Sequence, residues 1–326
     1  MSSMSTQQIS EVSKPVAPVK TARRSMFSRM RDSAVWWSFT HSKAAMVSAA
    51  LLAILVLTAV FAPLIAPQNP YDGAQLDMWK AELPPIWEAG SEWPYLLGTD
   101  TQGRDMLSAI LYGTRISIII GVGSVALSLL IGMSAGLISG YFGGFIDNLL
   151  MRFGDITLSL PTILVAILVS AVIRQMLPLS LREIGASAVL IFAIALSAWV
   201  QYARTARAQA IVEAGKDYVQ AARLIGVPAR RIMVKHILPN TLTPILVAAT
   251  LNFGMAILTE ATLSFLGIGM PPSQPSLGTL IRIGNQYLFS GSWWIVLFPV
   301  VQLCLLVVSV NVLGDWLRDA LNPKLR

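Results

Sequence analysis

Long runs of apolar residues dominate the chain, and each is long enough to cross a lipid bilayer as a helix. A helix needs about 20 mostly apolar residues to span ~30 Å of hydrocarbon. Six such runs occur, at Ala44 to Ala66, Ile116 to Gly140, Ile156 to Ile173, Gly185 to Tyr202, Leu242 to Thr259 and Gly291 to Leu313. Charged residues make up only 13% of the chain, against roughly a quarter in soluble domains. The sequence therefore predicts an all-α integral membrane protein with six transmembrane helices.

The distribution of charge between these runs predicts their orientation. Basic residues cluster before the first run and between the fourth and fifth, whereas the loop from Pro67 to Arg115 is rich in Asp and Glu. Because cytoplasmic segments carry an excess of Lys and Arg, we expect both termini inside the cell and the acidic loop outside. The net charge of +7 then reflects this excess of basic residues on the cytoplasmic side, with anionic membrane lipid as a further partner. Because the basic residues flank the spans, it does not indicate a nucleic-acid partner.

These boundaries divide the chain into five parts. We expect a basic, disordered leader with an interfacial segment over residues 1–43, and a first transmembrane helix over 44–66 that is retained in the mature chain. An outer loop over 67–115 precedes a transmembrane core over 116–313, and a cytoplasmic tail follows over 314–326. Tryptophans beside the spans are expected to act as interfacial anchors, and those of the outer loop to pack it: Trp36, Trp37, Trp293 and Trp294, and Trp79, Trp87 and Trp93.

A charged segment from Asp217 to Pro239, punctuated by Gly and Pro, separates the fourth and fifth runs. Asp217 and Gln220 have the spacing of a capping box, Gly226 suits a left-handed helix end, and Pro228 suits the first turn of a second helix. The segment is therefore predicted to form two short helices joined at a corner. The first helix carries an incomplete apolar stripe of Val219, Ala222, Leu224 and Ile225.

This corner resembles the EAA loop of the membrane subunits of ABC importers, on the spacing of Gln220-Ala221-Ala222, Gly226 and His236-Ile237-Leu238-Pro239. In that family the loop docks into a cleft of the ATPase. The resemblance implies that residues 212–239 form a cytoplasmic coupling loop, in which Gln220 replaces the usual Glu. The alternative is an ordinary amphipathic cytoplasmic loop. The implied coupling residues are Gln220, Ala221, Ala222, Gly226, Leu238 and Pro239.

The block Gly98-Thr99-Asp100-Thr101-Gln102-Gly103-Arg104-Asp105 is similar to the signature that opens the shared region of the dipeptide and oligopeptide permease branch. Gly98 and Gly103 mark turns, and the three charged side chains can pair with each other, which would order the loop. We expect the block to organise the outer mouth of the pore and to support docking of a binding protein. The residues expected to do so are Asp100, Gly103, Arg104 and Asp105. The segments from Glu260 to Gly269 and from Gly314 to Pro323 also resemble this branch.

Catalytic and metal-binding patterns are missing from the sequence. Cys304 is the single cysteine, and neither His41 nor His236 has a partner at ligand spacing. No phosphate-binding loop of the Gly-x-x-x-x-Gly-Lys-Ser/Thr type occurs, so ATP and Mg²⁺ are assigned to separate ATPase subunits and no cofactor to this chain. These absences argue against an integral-membrane enzyme.

Ion-coupled secondary carriers need ionisable groups deep in the membrane, and the predicted spans have no charge near their centres. Glu260 is the nearest exception, but a residue count along its span assigns it to the outer surface, solvated, with a gate or substrate-amine contact as the alternative. Gly132, Gly136 and Gly140 lie at helical spacing, and this favours tight packing within the subunit over a surface that slides during transport.

Together the resemblances imply a permease subunit with the type I ABC importer fold in the bacterial inner membrane. They imply as partners a second homologous permease subunit, two ATPase subunits or domains, and a periplasmic or lipid-anchored binding protein. The implied substrates are di- or oligopeptides. The same machinery could instead carry glutathione or nickel complexes, since selectivity in such importers is expected to lie mostly in the binding protein.

Overall fold

The computed structural model describes residues 34–321, and its regular structure is helical throughout this range. The predicted leader up to residue 33 lies outside the described residues, as do residues 322–326 of the predicted tail. Five long helices are apolar enough to cross a membrane. They are α2 (Lys43–Val60), α4 (Met106–Phe142), α8 (Ala186–Ala214), α11 (Leu238–Phe265, continuous with the short helices before it) and α13 (Trp294–Leu321).

Shorter helices connect these spans. They are α1 (Ala34–His41), α3 (Ala62–Ile65), α5 (Gly144–Ser159), α6 (Thr162–Met176), α7 (Leu179–Arg182), α9 (Asp217–Leu224), α10 (Ala229–Ile232) and α12 (Leu277–Tyr287), with a π-helical turn over Met233–Ile237. Short 3₁₀ turns form at Gly73–Gln75, Met78–Lys80 and Leu288–Ser290. The predicted all-helical membrane fold is confirmed, and the predicted spans coincide with long helices at five of six positions.

The third predicted span, Ile156 to Ile173, is not one helix. The chain bends by 99° between α5 and α6, so that this pair is a sixth crossing only if the bent pair is counted as one span. Pro161 explains the break, because proline lacks an N–H and excludes the preceding residue from the helical region. Leu160 is accordingly extended, with φ −103° and ψ 144°. With 15 residues, α6 is about 22 Å long, too short to cross ~30 Å alone.

The closest helix contact joins α4 and α8, and small residues make it possible. A Cβ atom added at Gly132, Gly136 or Gly140 would lie 2.3 to 2.7 Å from a backbone oxygen of α8. Because only glycine permits this approach, the predicted role of the stripe in packing within the subunit is confirmed. Successive glycines of α4 meet successively later residues of α8, so the two helices run parallel.

Glu260 corrects an expectation. Its side chain is fully buried near the end of α11 and is not solvated. Ser117 and Ser264 donate hydrogen bonds to its two carboxylate oxygens at 2.8 and 2.7 Å. Counting residues gives a position along a helix axis but does not reveal what covers it. Here α12 covers the site, with Gly278 packed directly against the backbone of Ala261.

The tryptophans also differ from expectation. Trp294 is buried and donates from Nε1 to the carbonyl of Thr99 at 3.1 Å, while Trp293 reaches the Glu88 carboxylate. Both therefore hold the long first loop against α13, a contact that the sequence did not predict. Conversely, Trp79 is 97% exposed and Trp93 75% exposed, so the prediction that these residues pack the loop is wrong.

Candidate functional site

The corner between α9 and α10 has the geometry that its glycine predicts. Gly226 has φ +79°, in the left-handed region. Its N–H donates to the carbonyl of Arg223, and the N–H of Val227 donates to the carbonyl of Ala222, each at 3.0 Å. This pair of bonds is a Schellman motif, in which glycine ends a helix without steric cost. Pro228 then directly precedes α10.

The start of α9 does not form the predicted capping box. Asp217 is the first helical residue, and Lys216 occupies the capping position but its side chain does not cap the helix. The amide of Gln220 donates backward to the carbonyl of Ala214 at 2.9 Å. Asp217 still carries negative charge in the first turn, where the helix dipole favours it.

The apolar residues of α9 divide between two faces. Val219 and Ala222 are buried against the ends of α4 and α8. By contrast, Leu224 is 89% exposed and Ile225 is 79% exposed, and Ala221 also faces outward. A Cβ atom at Gly226 would meet nothing within 4 Å. The tip of the corner is thus a small apolar surface that residues 34–321 leave uncovered.

Polar contacts at its base hold the corner to the helix bundle. Lys216 pairs with Glu213 at 2.7 Å, and Tyr218 donates to the same carboxylate. The amide of Asn240 donates to the Tyr218 hydroxyl at 3.0 Å, which ties α9 to the start of α11. The bond to Glu213 raises the pKa of Lys216, so the ammonium stays charged over the neutral range. The sequence does not predict the network as a whole, because Asn240 lies 22 positions from Tyr218 along the chain.

The remaining corner residues lie at the start of α11. Leu238 is half-buried beside the cluster formed by Val219, Ala222 and Ile232. Pro239 is exposed in the first turn of α11, directly after the π-helical turn over Met233–Ile237. The six predicted coupling residues therefore divide by exposure. Gln220, Ala221, Gly226 and Pro239 are accessible, whereas Ala222 is buried and Leu238 half-buried.

The outer-loop block folds around a buried ion pair. The Nε of Arg104 lies 2.6 Å from Oδ2 of Asp100, and both side chains are at most 1% exposed. Oδ1 of Asp100 accepts from the backbone N–H groups of Gln102 and Arg104. A second guanidinium nitrogen of Arg104 donates to the carbonyl of Pro272 at 2.8 Å, which connects the loop to the segment after α11. The predicted pairing of Asp100 with Arg104 is confirmed.

Asp105 does not join this ion pair. It caps α4, accepting from the N–H of Ser108 at 2.7 Å and from its hydroxyl at 2.6 Å. Burial raises the pKa of the Asp105 carboxyl, and the bonds from Ser108 oppose the shift. Gly103 has positive φ and packs against the backbone of Asp77, which leaves no room for a side chain.

All four predicted mouth residues, Asp100, Gly103, Arg104 and Asp105, are buried. In this structure none of the four is exposed for direct contact with a binding protein. Their role is then to hold the loop in its conformation, so that other side chains form its surface.

The corner and the outer loop lie at opposite ends of the bundle. The loop leads into α4, whose last turns pack beside Arg207 and Ala210 of α8, shortly before the corner begins. Because α4 and α8 are parallel, the start of α4 and the end of α8 are at opposite ends. Within residues 34–321, no group of three or more His, Cys, Asp or Glu side chains is placed to hold a metal ion.

Comparison with known proteins accounts for this arrangement of spans and connecting segments. Residues 128–326 match the family described as binding-protein-dependent transport system inner membrane component. The chain belongs to this family. Residues 30–85 also match the N-terminal transmembrane domain of oligopeptide transport permease C.

Individual members of this permease family are similar over most of the chain. The dipeptide transport system permease protein DppC of Escherichia coli (strain K12) is 42% identical over 89% of this chain and 92% of its own length. The di/tripeptide permease DppC of Pseudomonas aeruginosa (strain UCBPP-PA14) is 38% identical over 89% and 91%. The oligopeptide permease OppC of Bacillus subtilis (strain 168) is 38% identical over 88% of each chain.

Proposed function

We propose that this chain is a membrane-spanning subunit of an ATP-driven importer that carries short peptides across the bacterial inner membrane. Family membership supports the permease role and implies a substrate-binding protein and ATPase partners. Relatives named for dipeptide, tripeptide and oligopeptide transport support the substrate class. The chain forms part of the pore and has no enzymatic role, so ATP and Mg²⁺ bind to separate subunits.

The coupling site in this proposal is the corner around Gly226. The observation that carries it is the exposed apolar tip of Leu224 and Ile225, presented by a rigid helix end and held by polar contacts at its base. Exposed apolar groups flanked by polar ones are typical of protein-binding surfaces. Gln220, Ala221, Gly226 and Pro239 form the accessible part of the site, and Ala222 and Leu238 support it from below.

The outer loop has a separate role in this proposal. Asp100, Gly103, Arg104 and Asp105 fold the loop into a rigid element at the mouth of the pore. That element presents other side chains to a periplasmic or lipid-anchored binding protein. The link from Arg104 to Pro272 supports this role, because it connects the loop to the segment between α11 and α12.

Topology follows from charge. The acidic loop over 67–115 is assigned to the periplasm, and the basic segment over 212–239 to the cytoplasm, with both termini inside. The transmembrane core over 116–313 would pair with a second, homologous permease chain. Two ATPase domains would bind below this pair. Closure of the ATPases would move the two corners together and switch the pore from inward-facing to outward-facing.

Reconstitution tests the function directly. The chain is co-expressed with a second permease chain and the ATPases of the same transporter, and the complex is placed in liposomes. ATP is supplied on the side that the ATPases face, and the substrate-binding protein on the other side. We expect binding-protein-dependent uptake of labelled alanyl-alanine. ATP hydrolysis stimulated by the binding protein without uptake of any di- or oligopeptide would contradict the peptide assignment.

A further inference from the structure

A small polar recess lies midway along the membrane-spanning helices, bordered by α4, α6, α8 and α11. Its volume is about 80 Å³. Tyr202 lies near the middle of the 29 residues of α8, and Asn252 near the middle of the 28 residues of α11. The recess therefore lies within the helix bundle, where a polar group that lacks a partner is costly. Its polar lining consists of Ser128, Thr162, Ser197, Gln201, Tyr202, Asn252 and Thr259.

Three of the lining hydroxyls are satisfied within their own helices. Ser128, Ser197 and Thr259 donate to the carbonyls of Ser124, Ile194 and Met255 at 2.6 to 2.8 Å. Such bonds are common for Ser and Thr in membrane helices and need no ligand. These three residues therefore make the recess polar without requiring an occupant.

The other polar groups lack such partners. Tyr202 is fully buried, and its hydroxyl has no partner in hydrogen-bonding geometry, although the Asn252 side chain lies close enough to interact with it. Among the described residues, the amide of Gln201 makes no hydrogen bond, and Asn252 retains unused donors and acceptors. A buried polar group without a partner is costly in an apolar surrounding. The recess thus has unmet hydrogen-bonding capacity, centred on the buried Tyr202 hydroxyl.

We propose that Tyr202, Asn252 and Gln201 form a transient binding site for one peptide group of the translocated substrate. This inference rests on the proposed import of peptides. Amide and hydroxyl side chains both donate and accept, which matches the C=O and N–H of a peptide bond. At about 80 Å³ the recess is well below the roughly 300 Å³ or more of pockets that enclose whole small ligands, so it is suited to a single peptide group.

The composition of the recess sets its selectivity. No charged side chain borders it, so it does not distinguish substrates by their termini or charged side chains. Gln201 and Thr162 are exposed at its rim, so the recess is open on one side. An open polar face toward hydrocarbon would be costly, so this side faces the water-filled path shared with the second permease. The site recognises the one group that all short peptides have in common.

The test measures uptake by the complete reconstituted transporter. Each complex receives alanyl-alanine or its depsipeptide analogue, in which an ester replaces the amide and removes the N–H. The binding protein is saturated with either compound, so that delivery is equal. Thr250→Val is the matched control, because Thr250 lies on α11 but borders a separate apolar groove and bonds to the carbonyl of Val247.

We expect the wild type to carry the amide about fivefold faster than the ester, the size of effect for one lost hydrogen bond. Tyr202→Phe should slow the amide about fivefold with ATPase assembly unchanged. Asn252→Leu should slow the amide more than the ester and so reduce the discrimination. Gln201→Leu should also slow the amide more than the ester. Because Gln201 lies at the exposed rim, this substitution does not disturb the buried packing.

Two results would overturn the inference. In the first, Tyr202→Phe, Asn252→Leu and Gln201→Leu all carry the amide as fast as the control Thr250→Val. The other is equal slowing of amide and ester by both Asn252→Leu and Gln201→Leu, since that indicates a structural defect. Failure of the proposed function itself is distinguishable, because the wild-type complex would then hydrolyse ATP in response to the binding protein and import neither compound.

Discussion

Arg104 carries a full positive charge inside the outer loop, where water scarcely reaches it. Its stability there depends on Asp100, which neutralises the charge, and on the carbonyl of Pro272. Taking two charges out of water is expensive, so such a pair contributes little net stability by itself. Removing one partner is a different matter, because the other charge remains buried and uncompensated. The folded loop therefore requires both members of the ion pair.

Asp100→Asn tests this dependence. The amide oxygen can still accept from the backbone N–H groups of Gln102 and Arg104, so only the charge is lost. We expect destabilisation of about 3 kcal/mol, which corresponds to a fall of roughly 6–12 °C in the thermal midpoint of the detergent-solubilised protein. Glu92→Gln is the control, because its pair with Lys80 is exposed and should change the midpoint little. Equal midpoints for the two variants would refute the argument.

Residue contacts were predictable where partners lie close in the chain. Asp100 and Arg104 are four residues apart beside a turn glycine, so their charges could be matched from spacing alone. Glu260 could not be treated this way, since Ser117 lies 143 positions away in the sequence. The polar recess shows the same limit. Tyr202 and Asn252 belong to different helices, and each by itself is an ordinary polar residue in a span.

Among the helices, the contact between α4 and α8 depends most on side-chain size. The backbone carbonyl of Ala203 would lie 2.3 Å from a Cβ atom at Gly136. Arg207 of α8 also pairs with Asp147 of α5 at 2.5 Å. The first contact fixes the distance between α4 and α8, and the second holds α5 beside them. Together they form the rigid end from which the corner projects.

Gly136→Leu should separate α4 from α8 and prevent the subunit from assembling. The added side chain would collide with backbone atoms, which cannot move aside as a flexible side chain could. We expect strongly reduced accumulation in the membrane and loss of copurifying ATPase. Ser134→Leu is matched in size and lies on an exposed face of α4, so it should accumulate normally. Normal levels of Gly136→Leu would show that the interface is not close-packed.

Helix prediction succeeded where hydrophobic length was the only requirement and failed where local backbone chemistry intervened. The run from Ile156 to Ile173 is apolar enough to span, but Pro161 interrupts it and turns the chain by 99°. Proline inside a span does not always act this way, since Pro299 lies within the continuous α13. Neighbouring helices decide between these outcomes, and the sequence of one segment does not contain that information.

On the scale of the whole molecule, the parallel course of α4 and α8 separates two polar surfaces by the length of the bundle. The acidic outer loop lies at one end and the basic corner at the other. Charge distribution predicts which end faces the cytoplasm. The parallel packing of α4 and α8 independently puts the loop and the corner at opposite ends of the bundle. A transporter needs this arrangement, because substrate arrives on one side and ATP is consumed on the other.

Single cysteines test the orientation in a Cys304→Ser background. Ala89 lies exposed on the outer loop and Lys235 is exposed beside the corner. An impermeant thiol reagent applied to the periplasmic side should label Ala89→Cys, whereas Lys235→Cys should react only after the inner membrane is permeabilised. Labelling in the reverse order would overturn the assignment of both loops and of both termini.

Coupling between the two ends is tested at Gly226. Valine at φ +79° costs roughly 1 kcal/mol or more, and the open space around the position means that no clash within the subunit adds to this cost. The helix end should therefore shift while the spans remain inserted, so that Leu224 and Ile225 no longer present the same surface. We expect Gly226→Val to weaken ATPase copurification and abolish peptide uptake.

Two control variants accompany this test. Gly226→Asn should retain more of both properties, because asparagine tolerates the left-handed region, and Gln220→Glu should be tolerated. Peptide uptake by Gly226→Val at the wild-type rate would show that this corner does not couple ATP hydrolysis to transport.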